Sequence, residues 1–126
     1  MRKLVIGLML LVAACANQHP GTHRQLVYFT EWSAKLDDTA QAAVNASADF
    51  VKQHPVGTVT VIGYADPEGS DKANLELSRA RAQMVVDALV AAGVPATRIQ
   101  RQAKGETAFV QNSLESRRVE IVFGAP

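Results

Sequence analysis

Cysteine is almost missing from this sequence: Cys15 is the only one. A lone thiol has three fates: free and reactive, paired between chains, or chemically modified. Histidine is scarce as well. His19, His23 and His54 offer no Ser-His-Asp, Cys-His or metal-ligand spacing that reads as a catalytic centre. Neither sign of charge dominates, with 13 Lys and Arg against 12 Asp and Glu, so electrostatics give no reason to expect nucleic-acid binding. No apolar run is long enough to span a bilayer of roughly 30 Å, and no internal repeat or low-complexity tract is visible. These absences leave no visible catalytic constellation, so no enzyme activity, cofactor or metal is expected.

What is present begins at the N-terminus. Arg2 and Lys3 precede an apolar run from Leu4 to Val12, interrupted only by Gly7, and small residues then lead into Val12-Ala13-Ala14-Cys15. That order is the pattern of an export signal. The residues before Cys15 resemble the lipobox of bacterial lipoproteins. The resemblance implies removal of residues 1–14, a diacylglyceryl thioether on the Cys15 sulfur and a third acyl chain on its amine. One chain anchors only marginally, at about 0.8 kcal/mol per buried methylene, so several are needed for a stable hold. Ala16 stands where an aspartate would imply inner-membrane retention. The expected location is therefore the outer membrane, with the domain facing the periplasm.

Without its first 14 residues the chain keeps 112 of 126, and losing Arg2 and Lys3 leaves 11 basic against 12 acidic residues. That length suits one domain with one core. Residues 15–25 read as a lipidated start and a short polar tether containing Pro20 and Gly21, and residues 26–126 as the domain. Ten extended residues reach about 33–36 Å, so the domain is expected close to the membrane.

Leu26-Val27-Tyr28-Phe29 predicts a first strand ending near Thr30. Leu36, Ala40, Ala43, Val44, Ser47, Phe50 and Val51 then follow helical spacing, with Asp38 and Gln41 as a capping box and His54-Pro55 as the stop. Thr58 to Gly63 is the clearest strand, β-branched and bounded by glycines. A turn-rich segment leads into a helix from about Asp71 to Ala92, stopped by Gly93 and Pro95. Ile99 to Lys104 and Arg118 to Phe123 predict two further strands. The order βαβαββ, closing on a strand pair, argues for an α/β fold of the α+β type. It would be a two-layer sandwich with a mixed sheet and helices on one face.

One charge is out of place in this pattern. The apolar stripe of the second helix reads Leu77, Met84, Val85, Ala88 and Leu89, and Arg81 falls within it, beside Asn74 and Ser78. A buried guanidinium without a partner is costly, so it requires an acceptor. Asp66, in the turn after the clearest strand, is the natural candidate. Two readings stand at this point. One is a structural Asp66–Arg81 salt bridge. The other is a shared pocket in which the aspartate takes an ammonium and the arginine takes a carboxylate through its bidentate fork, a match for a zwitterionic amino-acid end.

These residues carry a resemblance. Gly63-Tyr64-Ala65-Asp66-Pro67-Glu68-Gly69-Ser70, then Asn74 to Ala82 with Val85 and Leu89 to Gly93, resemble the signature of the OmpA C-terminal domain. Val27-Tyr28-Phe29, Lys104-Gly105-Glu106 and Arg117-Arg118-Val119-Glu120 agree with it at the flanks. That family includes peptidoglycan-associated lipoproteins and flagellar stator proteins. The resemblance implies that Asp66 and Arg81 clamp the meso-diaminopimelate of a peptidoglycan stem peptide. It also implies that Asn74 shapes the pocket and that Phe29 and Thr30 line its other side. Three positions depart from the family pattern: Ala65 stands where a Thr or His is frequent, Ser116 replaces an asparagine, and Phe29-Thr30-Glu31-Trp32 replaces a run with an Asp and an Asn or Lys. The implied partners are peptidoglycan, the outer membrane through the lipid anchor, and periplasmic envelope proteins. The competing reading is a protein-interaction module of an envelope complex, in which the Asp66/Arg81 pair is only structural.

Overall fold

The computed structural model describes residues 22–65, 68–106 and 116–124. In chain order these form strand β1 (Thr22–Tyr28), helix α1 (Asp38–Gln53), strand β2 (Thr58–Ala65) and helix α2 (Asp71–Ala91). A short 3₁₀ turn (Ala96–Arg98), strand β3 (Ile99–Glu106) and strand β4 (Arg118–Gly124) follow. The strands make one mixed sheet in the order β1-β4-β2-β3. β4 runs antiparallel to both β1 and β2, whereas β2 and β3 are parallel, joined through α2. The two-layer α/β architecture expected from the sequence is the one observed. The last two strands are not neighbours, however. β4 lies between β1 and β2, and its buried run Val119-Glu120-Ile121 reflects that central place.

Alternation explains the packed face. In β2 every second residue is buried (Val59, Val61, Gly63, Ala65), and β4 contributes Val119, Ile121 and Phe123. Val59, Val61, Val119, Ile121 and Phe123 form one core with Ala40, Val44, Ala48 and Val51 of α1 and with Ala82, Val85 and Leu89 of α2. β1 begins at Thr22, four residues earlier than its apolar run and inside the stretch read as tether. Its polar start misled the sequence reading. An edge strand tolerates Arg24 on its solvated face and half-buried Gln25 on the other face, and its register with β4 holds from Thr22↔Gly124 to Tyr28↔Arg118.

The helix ends show why the chain breaks where it does. The cap of α1 is Asp37, not Asp38: its Oδ1 accepts from the Ala40 amide at 2.7 Å. Gln41 makes no capping box and donates instead to the Asn45 side chain. Ser70 caps α2 through the Ala73 amide at 3.1 Å. At the other end Gly93 takes φ 101, its amide donating to Val90 and that of Val94 to Leu89. Those two bonds are a Schellman closure, with buried Val94 as its hydrophobic contact.

The face of α2 is turned somewhat from the expected stripe. Asn74, Ser78, Arg81, Ala82, Val85 and Leu89 are buried, while Met84 is exposed. At 3.6 residues per turn, Met84 points about 110° away from the centre of that buried row. The first half of α2 lies tightly on the sheet. A Cβ added at Gly63 would stand 2.0 Å from the Ser78 carbonyl oxygen, and the Ser78 hydroxyl accepts from the Gly105 amide at 3.0 Å. Backbone contact thus pins Asn74 to Arg81 over the ends of β2 and β3.

Candidate functional site

Arg81 is fully enclosed. Its Nε donates to the Ser33 carbonyl at 2.7 Å, Nη1 to the Tyr64 carbonyl at 3.1 Å and Nη2 to the Thr30 carbonyl at 3.1 Å. Its Cζ lies 5.4 Å from the centroid of the Phe29 ring, within cation–π range. The acceptors that the buried charge requires thus include three backbone carbonyls from two parts of the chain. Arg81 ties the end of β2 to the segment that follows β1.

That segment is a tight turn. The Ser33 amide donates to the Thr30 carbonyl at 3.2 Å, and Trp32, third in the turn, has φ 55. Glycine or asparagine is usual in that conformation, and a bulky residue there is strained. The indole leans over Gly69, where an added Cβ would meet Trp32 Cη2 at 2.9 Å and Asn74 Oδ1 at 3.9 Å. Asn74 is fully buried, and neither end of its side-chain amide has a hydrogen-bond partner among the described residues. An unsatisfied buried amide costs stability, so its presence calls for an explanation. The turn also borders an open groove of about 370 Å³, lined by Thr30, Ser33, Lys35, Leu36, Asp37 and Asp38.

A family model described as the OmpA family matches residues 28–120, a span that contains the whole arrangement. The chain belongs to the OmpA family. Among relatives, it is 35% identical over 101 residues to "Probable lipoprotein YiaD" of Escherichia coli K12, covering 75% of this chain and 46% of that one. It is 32% identical over 127 residues to the peptidoglycan-associated lipoprotein of Legionella pneumophila, covering 87% and 70%. Its match to outer membrane protein A of Serratia odorifera spans about a quarter of that longer protein, 24% of its length. Among solved structures, the OmpA-like domain of FopA1 from Francisella tularensis superposes with TM-score 0.76 at 27% identity, covering 83% of this chain and 73% of that one.

Within this OmpA-family domain the expected site residues fall as follows. Phe29, Thr30 and Arg81 are brought into direct contact, and Asn74 lies next to the same turn through Gly69 and Trp32. Phe29 is a core residue as well as a neighbour of the guanidinium, and Thr30 is exposed with its carbonyl turned to Arg81. Asp66 and Cys15 lie outside the described residues. Of the departures, Ala65 and Ser116 are buried and Glu31 is exposed. Sequence reasoning missed the Ser33 and Tyr64 contributions, because a backbone carbonyl leaves no mark in the residue type that carries it.

Tyr64 links the site to the open face of the sheet. Its carbonyl faces Arg81, while its ring lies under the Arg118 guanidinium, 4.2 Å from Cζ to centroid. Arg118 also pairs with Glu120 at 3.1 Å, and Arg24 approaches the other Glu120 oxygen at 3.9 Å. Burial, and after it the Glu120 charge, push the Tyr64 phenol above its ordinary value. Among the described residues no cluster of His, Cys, Asp and Glu could hold a metal ion, and no helix is long and apolar enough to cross a membrane.

Proposed function

We propose that this chain is a lipid-anchored outer-membrane protein that holds peptidoglycan without altering it covalently, through the diaminopimelate of the stem peptide. The observation that carries this reading is Asn74, a fully buried amide without a partner among the described residues. It sits beside a turn that a buried arginine holds in shape. Such an amide is explained by a ligand that supplies its hydrogen bonds. Membership of the OmpA family and likeness to a peptidoglycan-associated lipoprotein support the choice of ligand. In this reading Asp66 takes the ligand ammonium, and Arg81 provides positive charge for the carboxylate beneath walls formed by Phe29 and Thr30. The three acyl chains on Cys15 hold the membrane, and the short tether keeps wall and membrane close. The domain binds and does not catalyse.

A second reading draws on the Arg81 geometry. A guanidinium engaged by three backbone carbonyls also fits a purely structural role, with the surface serving an envelope protein partner instead. Asp66→Asn separates the two, since it removes a carboxylate charge and leaves the three carbonyl contacts of Arg81 in place. Co-sedimentation with purified sacculi is expected to fall at least tenfold while the thermal midpoint holds. Undiminished sacculus binding by a folded Asp66→Asn protein would sink the peptidoglycan reading.

A further inference from the structure

Trp32 has no role in the site just described. It is the only tryptophan in the chain and remains 55% exposed, so burial does not explain its presence. It is also held at φ 55, where a large side chain is strained. Strain of that kind persists only where the surroundings over-determine it, and it concentrates at ligand-binding places. Here the cause is visible. Arg81 takes the carbonyls of Thr30 and Ser33, the residues at the two ends of the turn, and the Ser33 amide closes it. The glycine beneath the indole is equally specific: Gly69 has φ 97 and no room for a Cβ under Cη2. The ring therefore lies over Gly69, where an added Cβ would meet both the indole and the Asn74 amide.

We infer that the Trp32 indole is a stacking platform for a sugar ring of the glycan strand, a second contact beside the stem-peptide pocket. This inference rests on the peptidoglycan reading above. A peptidoglycan fragment carries amino-sugar pyranoses a few bonds from its peptide. One face of a pyranose presents polarised C–H groups, and the indole presents a negative π face. The polar substituents of the stacked sugar can lie toward the groove beyond the turn, where Lys35, Asp37 and Asp38 offer both signs of charge. Peptide in the pocket and sugar on the indole would then be read together, which distinguishes attached stem peptides from free ones.

The experiment compares two probes on the full chain: a diaminopimelate-containing tripeptide, and the same tripeptide bearing its disaccharide. Trp32 emission reports on the indole directly because no other tryptophan contributes. The disaccharide probe is expected to shift that emission, and the tripeptide alone to leave it nearly unchanged. Trp32→Asn removes the ring and relieves the backbone strain, so it guards against misfolding of Trp32→Ala. Both variants are expected to weaken binding of the disaccharide probe by about three- to tenfold, on the scale of one aromatic contact. The wild-type preference for it over the tripeptide should disappear. Equal losses for both probes would show that Trp32 covers the peptide pocket and would overturn the platform, as would no loss for either. If wild type binds neither probe, the underlying peptidoglycan reading fails instead.

Discussion

The two halves of α2 share one sheet but bury different chemistry. The second half presents Ala82, Val85 and Leu89, ordinary core residues. The first half presents Asn74, Ser78 and Arg81, all equally enclosed. Apolar burial stabilises wherever it fits, whereas each polar group must find a partner or carry a cost of desolvation. Ser78 finds Leu75 and Gly105, Arg81 finds three carbonyls, and Asn74 finds none among the described residues. The contrast separates a part of the helix that packs the core from a part whose enclosed polar groups make up the candidate site.

Arg81→Met should break that contrast most severely. It strips a charged donor from three partly buried carbonyls, so the loss of unfolding free energy in urea is expected at about 3–5 kcal/mol. The Thr30–Ser33 turn should loosen with it, visible as faster hydrogen exchange at the Ser33 amide. Leu89→Ala should cost about 2–4 kcal/mol through the cavity it leaves, yet the folded fraction should bind sacculi like wild type. A Leu89→Ala protein that folds but cannot bind would blur the division between the halves. Asn74→Leu should act in the opposite sense. Replacing an unsatisfied amide by an apolar group of similar size is expected to stabilise by about 1 kcal/mol, while sacculus binding declines. No gain in stability would mean that the amide is satisfied in solution.

The smallest effect belongs to Tyr64, which touches Arg81 through its carbonyl and the opposite face of the sheet through its ring. Its phenol is raised above 10.0 in the folded chain. The folded state therefore holds that proton more tightly than the unfolded one, giving stability that is fully present below about pH 10 and lost as pH rises further. Urea midpoints measured from pH 9 upward should fall less steeply for Tyr64→Phe than for wild type. Parallel curves would remove the phenol from the account.

Much of this was legible in the residues themselves. A β-branched run between glycines located β2, Val119, Ile121 and Phe123 on one face located β4, and Gly93 with Pro95 located the end of α2, because those signals arise within a few neighbouring residues. Arg81 in a buried row was readable for the same reason. Its carbonyl acceptors were not: those of Thr30, Ser33 and Tyr64 come within reach only once the turn after β1 and the end of β2 are brought together, and the expected partner Asp66 lies outside the described residues. The placement of β4 between β1 and β2 was hidden as well, since strand order depends on long-range pairing. β1 was underestimated at its polar start, where pairing with β4, not hydrophobicity, extends the strand. Met84 misled through a small error of helical phase, and Asp37 through a one-residue choice between adjacent aspartates.

β1 runs from Thr22 to Tyr28, with seven residues in register against β4. A pull that enters at Thr22 and leaves at the Thr30–Ser33 turn acts along that strand from end to end. Such a load is carried as tension by the covalent backbone of β1 itself, and the β1–β4 hydrogen bonds hold the strand in place without lying in its path. The edge strand thus works as a tie rod, and a load between its two ends bypasses the core packed beneath it.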